Sequence, residues 1–366
     1  MSKERQSKLV GPVVSLPTFT DEDHNLLLDK QRKHIRWLID NGFKNGEGVI
    51  LVAGGYGEGY FLDDYEYHAL IDVLKDEVKD EVASMIGIFD LSARKAAERA
   101  KYAADAGVEF IELGLPHYSC PSEEDVYLHH KYVSDHADIG IMSYNNFWVM
   151  PSPGFEISEK LIERLVDVEN MDGFKWSSGT EEHYVGMLKK FSGRFNFIDN
   201  GMQSALGARN GMAGFVDFYG NVAPTLSWKT WELFKNKKFD ELDDLLYKVH
   251  AGPAERLADE NPGFSGVADG PFGTLRWEVL GLKSGPVFPS QQMPSDAVRQ
   301  YTNKLFKINY NWLIILFYSL YVGFIYYLNI IYTITFSISL LLFLIGISIL
   351  FQQIKNSKSI IFENIN

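Results

Sequence analysis

Residues 82–115 read VASMIGIFDLSARKAAERAKYAADAGVEFIELGL, two short apolar runs separated by an amphipathic stretch. The runs Val82–Phe89 and Val108–Leu115 are apolar on both faces, which predicts parallel strands covered by helices. Ser92 belongs to the residue types that cap helix N-termini, and apolar residues at helical spacing continue to Ala106. The predicted unit is therefore a strand, a helix and a second strand parallel to the first.

The same alternation runs through the first 225 residues. Eight strands are predicted, the other six being Leu9–Leu16, Gly48–Ala53, Ile139–Tyr144, Met171–Lys175, Phe195–Ile198 and Gly214–Phe218. Further predicted helices are Asp21–Asn41, Ser122–His136, Ser158–Val168 and Glu181–Phe191. Eight units favour an α/β fold of the (βα)8 TIM-barrel type over a doubly wound open sheet, the alternative. We expect a catalytic barrel over residues 1–225 and a C-terminal helical extension over 226–306, with helices such as Trp228–Phe234 and Phe239–His250.

Composition narrows the functional classes. The 366 residues carry a formal net charge of -13, which argues against nucleic acid as a partner. Cys120 is the only cysteine, so an intrachain disulfide cannot form, and a reducing compartment is expected. The basic start MSKERQSK is not followed by an apolar run, so no signal peptide is expected.

The segment 307–366 differs sharply from the rest. Between Lys307 and Lys355 there is no charged residue. One helix over that run would reach about 70 Å, against about 30 Å for a bilayer core. A hairpin of two membrane spans, near Trp312–Leu328 and Ile330–Phe351, fits better and keeps both basic flanks on the cytoplasmic side. The alternative is a tail without a role in the enzyme.

Chemistry in such barrels lies where strands end and helices begin. Lys175 ends the sixth predicted strand, where burial would favour a neutral amine able to attack a ketone. Tyr144 ends the fifth strand, and a phenol there could move protons to and from the adduct. For each residue the ordinary structural role stays open, a solvent-facing lysine and a core tyrosine. No spacing of acidic, His or Cys residues predicts a metal site, and no cofactor is expected.

Five short motifs in order resemble the family of dihydrodipicolinate synthase and N-acetylneuraminate lyase, class I aldolase-type barrels, over roughly residues 8–300. They are Gly54-Gly55-Tyr56-Gly57-Glu58, Pro116-His117-Tyr118, Tyr144-Asn145, Gly173-Phe174-Lys175 and Gly220-Asn221-Val222-Ala223-Pro224.

The resemblance implies a role for each matching position. Lys175 would form an imine with pyruvate or a related 2-keto acid, and Tyr144 would donate and accept protons. The backbone N–H groups of Gly55 and Tyr56 would hold the keto-acid carboxylate. Tyr118 would belong to a proton relay that crosses a subunit interface in a homo-oligomer, a dimer or tetramer. Asn145 and Asp199, at the ends of the fifth and seventh strands, complete the predicted substrate-binding residues.

Two departures bear on the substrate. The family commonly has a Thr or Ser pair where this chain has Gly55 and Tyr56, so the hydroxyl nearest the imine is missing. The synthase branch has an arginine shortly after the fifth-strand tyrosine, whereas residues 145–150 read NNFWVM. The double glycine is similar to a dehydratase branch acting on 5-dehydro-4-deoxyglucarate.

Three functions therefore stay open. The first is a 4-hydroxy-tetrahydrodipicolinate synthase-like lyase, and the second is a sugar-acid dehydratase or keto-deoxy-sugar aldolase. The third is a membrane-tethered binding protein without turnover. The catalytic domain is expected in the cytoplasm, with membrane contact through residues 312–351.

Overall fold

The computed structural model describes residues 3–150, 155–200, 203–251 and 269–304, together with Ser348. Eight parallel strands follow one another around a closed barrel. The last strand pairs with the first through Gly11 opposite Gly214 and Val13 opposite Val216. This closure confirms the (βα)8 prediction and excludes the open doubly wound sheet, because an open sheet has two edge strands and this barrel has none.

Every predicted strand is present, with ends shifted by at most two residues. The strands are β1 Gly11–Ser15, β2 Val49–Val52, β3 Ala83–Ile88, β4 Phe110–Leu113, β5 Gly140–Tyr144, β6 Met171–Trp176, β7 Asn196–Asp199 and β8 Gly214–Asp217. The main helices are α1 Lys3–Lys8, α2 Leu28–Asp40, α3 Asp64–Val78, α4 Ala93–Ala106, α5 Glu123–His136, α6 Glu159–Leu165, α7 Glu181–Phe191, α8 Ser204–Arg209, α9 Pro224–Lys235, α10 Phe239–Leu246 and α11 Asp269–Val279.

Local side-chain caps explain where several helices begin. The Ser92, Ser122 and Ser158 hydroxyls accept hydrogen bonds from backbone N–H groups three residues later. The predicted helix Asp21–Asn41 begins only at Leu28, since the Asp21 carboxylate accepts from the N–H groups of Asp23 and Asn25 at 2.9 Å each. That turn holds the preceding backbone outside the helix.

Two apolar layers form the core. A small cluster fills the barrel itself: Leu9, Val13, Val49, Leu51, Ala83, Met85, Phe110, Met142, Ile198 and Val216. A much larger cluster lies between the strands and the surrounding helices. Because strand residues alternate between these layers, the inner cluster shows which side chains point toward the barrel axis.

The N-terminal ends of the strands are covered by α1, which the sequence reading did not predict. Arg5 contacts the buried Asp172 of β6 and donates to Asn170 at 3.1 Å. Gln6 donates to the carbonyl of Arg194 at 2.9 Å. The basic start of the chain thus packs on the barrel end opposite to the one where βα loops lie.

The predicted boundary at residues 225 and 226 falls inside α9. Trp228 of that helix packs against Phe43 at 4.5 Å between ring centroids, with the two rings tilted by 44°, and donates to the Asn41 carbonyl at 2.8 Å. Trp231 donates to Glu47 at 2.6 Å. These contacts hold α9 against the segment between α2 and β2, so α9 occupies the position of the eighth barrel helix.

The predicted hairpin of residues 312–351 lies outside the described residues, apart from Ser348. In the described ranges no helix is both long and apolar enough to cross a bilayer.

Candidate active site

Lys175 and Tyr144 lie side by side on neighbouring strands of the barrel. The two residues are paired in the register between β5 and β6. Tyr144 is two residues after Met142 of the inner cluster, so it points toward the barrel axis. Its ring centroid lies 3.8 Å from Lys175 Nζ, and both residues are 3% exposed. The amine and the phenol predicted from the strand ends are therefore together in the barrel interior.

The Lys175 amine also has a carboxylate partner. Its Nζ donates to Glu112 Oε1 of β4 at 2.9 Å, and the two side chains are 4% and 0% exposed. The sequence analysis did not predict this partner, which the neighbouring strand β4 supplies. The amine is held in one place by the carboxylate and by the face of Tyr144.

Glu112 was missed by the sequence reading, although a signal exists. It interrupts the apolar strand Phe110-Ile111-Glu112-Leu113, two residues after Phe110 of the inner cluster. A carboxylate at an inward position of a barrel strand is costly unless a partner is present. A search for acidic residues inside strands, not only at their ends, would have found it. Its second oxygen, Oε2, is buried without a hydrogen-bond partner among the described residues.

The hydroxyl end of Tyr144 is near the end of β7. Asn200, which directly follows that strand, donates from Nδ2 to the Tyr144 hydroxyl at 3.4 Å. Asn200 in turn is fixed by its N–H, which donates to the Trp176 carbonyl at 3.1 Å. The phenol is thereby oriented from the strand beyond Lys175.

Asn145 and Asp199 do not join this group. Asn145 donates to the Ser177 carbonyl at 2.7 Å and accepts from the Ile157 N–H at 3.0 Å, so its amide is used by the loops after β5 and β6. Asp199 follows the inward-facing Ile198 and therefore points outward. These contacts connect the two side chains to neighbouring loops and helices, and their predicted substrate-binding role stays a prediction.

Asp199 is held by the helix layer. Its carboxylate accepts from the Tyr184 hydroxyl at 2.8 Å and from the Ser204 hydroxyl at 2.7 Å. Burial, together with the Asp199 charge, raises the pKa of Tyr184 above its usual value. The carboxylate thus links β7 to α7 and α8.

We expect Asp199→Asn to destabilise the protein without affecting the amine. An amide cannot accept from all the donors that face this carboxylate, and an unsatisfied buried group costs about 1–3 kcal/mol. Urea unfolding should show that loss, while borohydride trapping of pyruvate on Lys175 stays at the wild-type level. Tyr184→Phe, which removes one of the same bonds, is the matched control. A loss of trapping with normal stability would show that Asp199 acts at the site of the amine rather than in holding α7 and α8 against β7.

The glycine-rich loop after β2 requires its glycines for close backbone approach. A Cβ on Gly59 would lie 2.0 Å from the Ala53 carbonyl oxygen, and one on Gly57 would lie 2.8 Å from that of Leu16. The backbone therefore folds back on itself near the end of β2. The Tyr56 ring packs against Phe218 and Trp277, at 5.4 and 5.9 Å between centroids, on the β8 side of the loop.

Glu58 of this loop is buried and contacts Gln291 through its Oε1. Burial raises its pKa to about 7. A carboxyl group whose pKa is raised on folding contributes stability below its unfolded value near 4.5, and that contribution is lost as the pH rises through about 7.

Glu58→Gln should therefore weaken the pH dependence of stability. Wild type should lose up to about 3 kcal/mol more unfolding free energy than the variant between pH 5 and pH 8, because Glu58 ionises over this range and the amide does not. Urea unfolding at both pH values measures the gap. Glu232→Gln, at an exposed position of α9, controls for the loss of an acidic group. A gap of equal size at both pH values would count against the ionisation of Glu58 as its cause.

Tyr118 stands apart from the amine. It lies in the short turn His117–Ser119 after β4 and is 82% exposed. Its predicted relay role needs a second subunit and stays a prediction. In the described ranges no cluster of three or more acidic, His or Cys side chains could hold a metal ion.

Comparison with known proteins places this arrangement in a family. The model of the dihydrodipicolinate synthetase family matches residues 8–263. The 4-hydroxy-tetrahydrodipicolinate synthase of Methylobacterium radiotolerans is 27% identical over 273 residues, which are 73% of this chain and 88% of that protein. The synthase of the same name from Methanothermobacter thermautotrophicus is 31% identical over 174 residues, 47% of this chain and 58% of that protein.

Solved structures agree on the fold. The dihydrodipicolinate synthase of Agrobacterium tumefaciens superposes with a TM-score of 0.71 at 19% identity, covering 83% of this chain and 99% of that one. The chloride-inhibited synthase of Acinetobacter baumannii, solved in complex with pyruvate, gives 0.70 at 19% identity over 82% and 98%. With the family model spanning more than half of its length, the chain belongs to the dihydrodipicolinate synthetase family.

Proposed function

We propose that this protein is a lyase of the class I aldolase type that condenses or cleaves a pyruvate-type 2-keto acid through an imine on Lys175. The observation that carries the proposal is the buried amine lying against Tyr144 in the barrel of a dihydrodipicolinate synthetase family member. Relatives named 4-hydroxy-tetrahydrodipicolinate synthase, and a related structure complexed with pyruvate, support this substrate class.

The geometry supports the following sequence of events. The Lys175 amine attacks the keto carbon, and loss of water leaves an imine. The protonated imine then accepts the electron pair released when a proton or a carbon–carbon bond is lost at the neighbouring carbon. Tyr144 lies beside the amine and can pass protons to and from the adduct, while its contact with Asn200 keeps the phenol oriented. Hydrolysis of the imine releases the product.

Incubation with pyruvate followed by borohydride reduction tests the proposal. We expect a covalent mass gain on the peptide that contains Lys175. No trapping with pyruvate or any other 2-keto acid would favour a binding protein without turnover. Trapping with 5-dehydro-4-deoxyglucarate but not with pyruvate would favour the dehydratase, for which the missing hydroxyl at Gly55 is the motivating feature.

Removing only the phenol hydroxyl should slow the chemistry. Tyr144→Phe keeps the ring against the Lys175 amine but removes the hydroxyl that would transfer protons. General acid–base catalysis by one positioned group typically contributes about 10²- to 10⁴-fold in rate. We expect kcat to fall by that factor with little change in stability. Tyr102→Phe, on the outer surface of α4, is the control. An unchanged kcat in Tyr144→Phe would remove the phenol from the mechanism.

Two further proposals concern assembly and the tail. The exposed Tyr118 would complete a site across the interface of a homo-oligomer, which predicts loss of activity on dilution to the monomer.

The segment 312–351 would attach the protein to a membrane, which predicts that full-length protein resists alkaline carbonate extraction. A chain that ends near Lys307 would not sediment with membranes.

A further inference from the structure

The Glu112–Lys175 pair places a carboxylate beside the buried amine, which an amine nucleophile does not itself require. Glu112 is fully buried, and its Oε1 accepts the amine at 2.9 Å. Its Oε2, on the same carboxyl group, is enclosed without a hydrogen-bond partner in the described part of the chain. A buried carboxylate oxygen without a hydrogen-bond partner is costly, so a purely structural ion pair is a poor explanation for it.

Imine chemistry supplies a use for that oxygen. The ammonium must lose a proton before the nitrogen can attack, and the carbinolamine hydroxyl must gain one before it leaves as water. Gly55 provides no side chain for this task. Tyr144 presents its ring face to the amine and its hydroxyl toward Asn200, which suits proton transfer at the carbon atoms of the adduct once the imine has formed, rather than at the ammonium nitrogen. Glu112 is the acidic side chain in hydrogen-bond contact with the reacting nitrogen.

We propose that Glu112 is a catalytic residue, the proton acceptor and donor for imine formation on Lys175. It takes one proton from the ammonium, leaving a neutral amine and a neutral carboxylic acid. The amine nitrogen bonds to the keto carbon while the carbonyl electron pair moves to oxygen. A proton passes from nitrogen to that oxygen, giving the carbinolamine.

The second half returns the proton. Glu112 donates it to the carbinolamine hydroxyl, the carbon–oxygen bond breaks, and water leaves. The nitrogen lone pair forms the protonated imine, and the carboxylate is regenerated as its counter-ion. In sum, ammonium and ketone give protonated imine and water, with no outside reactant. Throughout, Glu112 is either a carboxylate opposite one positive charge or a neutral acid beside a neutral nitrogen, so the Glu112–Lys175 pair carries no net charge at either stage.

This inference rests on the proposed function, and one experiment separates the two. Protein is mixed with saturating pyruvate for varied times and quenched with borohydride, which gives the rate of imine formation on Lys175. Wild type, Glu112→Gln and Glu112→Asp are compared, and urea unfolding monitors stability. Glu112→Gln keeps the volume and an acceptor oxygen for the amine but cannot take up a proton.

We expect Glu112→Gln to form the imine about 10²- to 10⁴-fold more slowly, with the KM for pyruvate within a few-fold of wild type. Glu112→Asp should recover part of the rate, because a carboxylate remains near the amine. Imine formation in Glu112→Gln at the wild-type rate would overturn the inference and leave the proposed function standing. Absence of trapping in the wild-type protein would instead overturn the proposed function.

Instability does not block the test. Where Glu112→Gln cannot be purified, the decision passes to Glu112→Asp, which keeps the charge but withdraws the carboxylate by one methylene. Slower imine formation with an unchanged KM then supports the proton-transfer role. A wild-type rate in this variant overturns it.

Discussion

Lys175→Arg is expected to abolish imine formation while preserving the fold. The guanidinium keeps a positive charge opposite Glu112 but remains protonated and does not attack a ketone. Losing a nucleophile held in position removes an effective molarity on the order of 10⁵ M or more, so turnover should fall by about that factor.

The measurement combines steady-state turnover with borohydride trapping and thermal unfolding. Lys190→Arg is the matched control, because Lys190 is a surface lysine that pairs with Glu159 and Glu163 outside the barrel. It should leave turnover unchanged. Trapping of pyruvate on Lys175→Arg at any other lysine, with turnover retained, would show that the nucleophile lies elsewhere.

The barrel could be predicted because the signal that specifies it is local and repeated. Each strand is a short apolar run, and Ser92, Ser122 and Ser158 mark helix starts with side chains that the structure shows as caps. The helix α1 escaped prediction since its stability comes from contacts with Asp172 and Arg194, which lie far away in sequence.

The site was predicted only as far as strand ends and motifs reveal side-chain direction. Lys175 and Tyr144 fall on the inward face, and their register pairing places them together. Asp199 is one residue past the inward-facing Ile198, and a single residue reverses the face of a strand. The partner of Glu112 could not be predicted from its own strand, because Lys175 is 63 residues away and only the closed barrel brings the two side chains into contact.

Removing one charge of the Glu112–Lys175 pair should destabilise the protein more than removing both charges together. Lys175→Met leaves a buried carboxylate without its cation, and Glu112→Leu leaves a buried ammonium without its anion. Breaking a buried pair from one side typically costs about 3–5 kcal/mol. The double variant replaces both groups by apolar side chains of similar volume, which is commonly neutral or stabilising.

Urea unfolding of wild type, both single variants and the double variant closes a thermodynamic cycle. We expect each single change to lower the unfolding free energy by about 3–5 kcal/mol, and the double change to restore it to within about 1 kcal/mol of wild type or above. The matched cycle uses Lys131 and Asp135, an exposed pair on α5, where coupling should stay below about 1 kcal/mol. Additive losses at Glu112 and Lys175 would mean that the two charges do not compensate each other. A stable but inactive double variant would instead show that the barrel folds without this pair and retains it for chemistry.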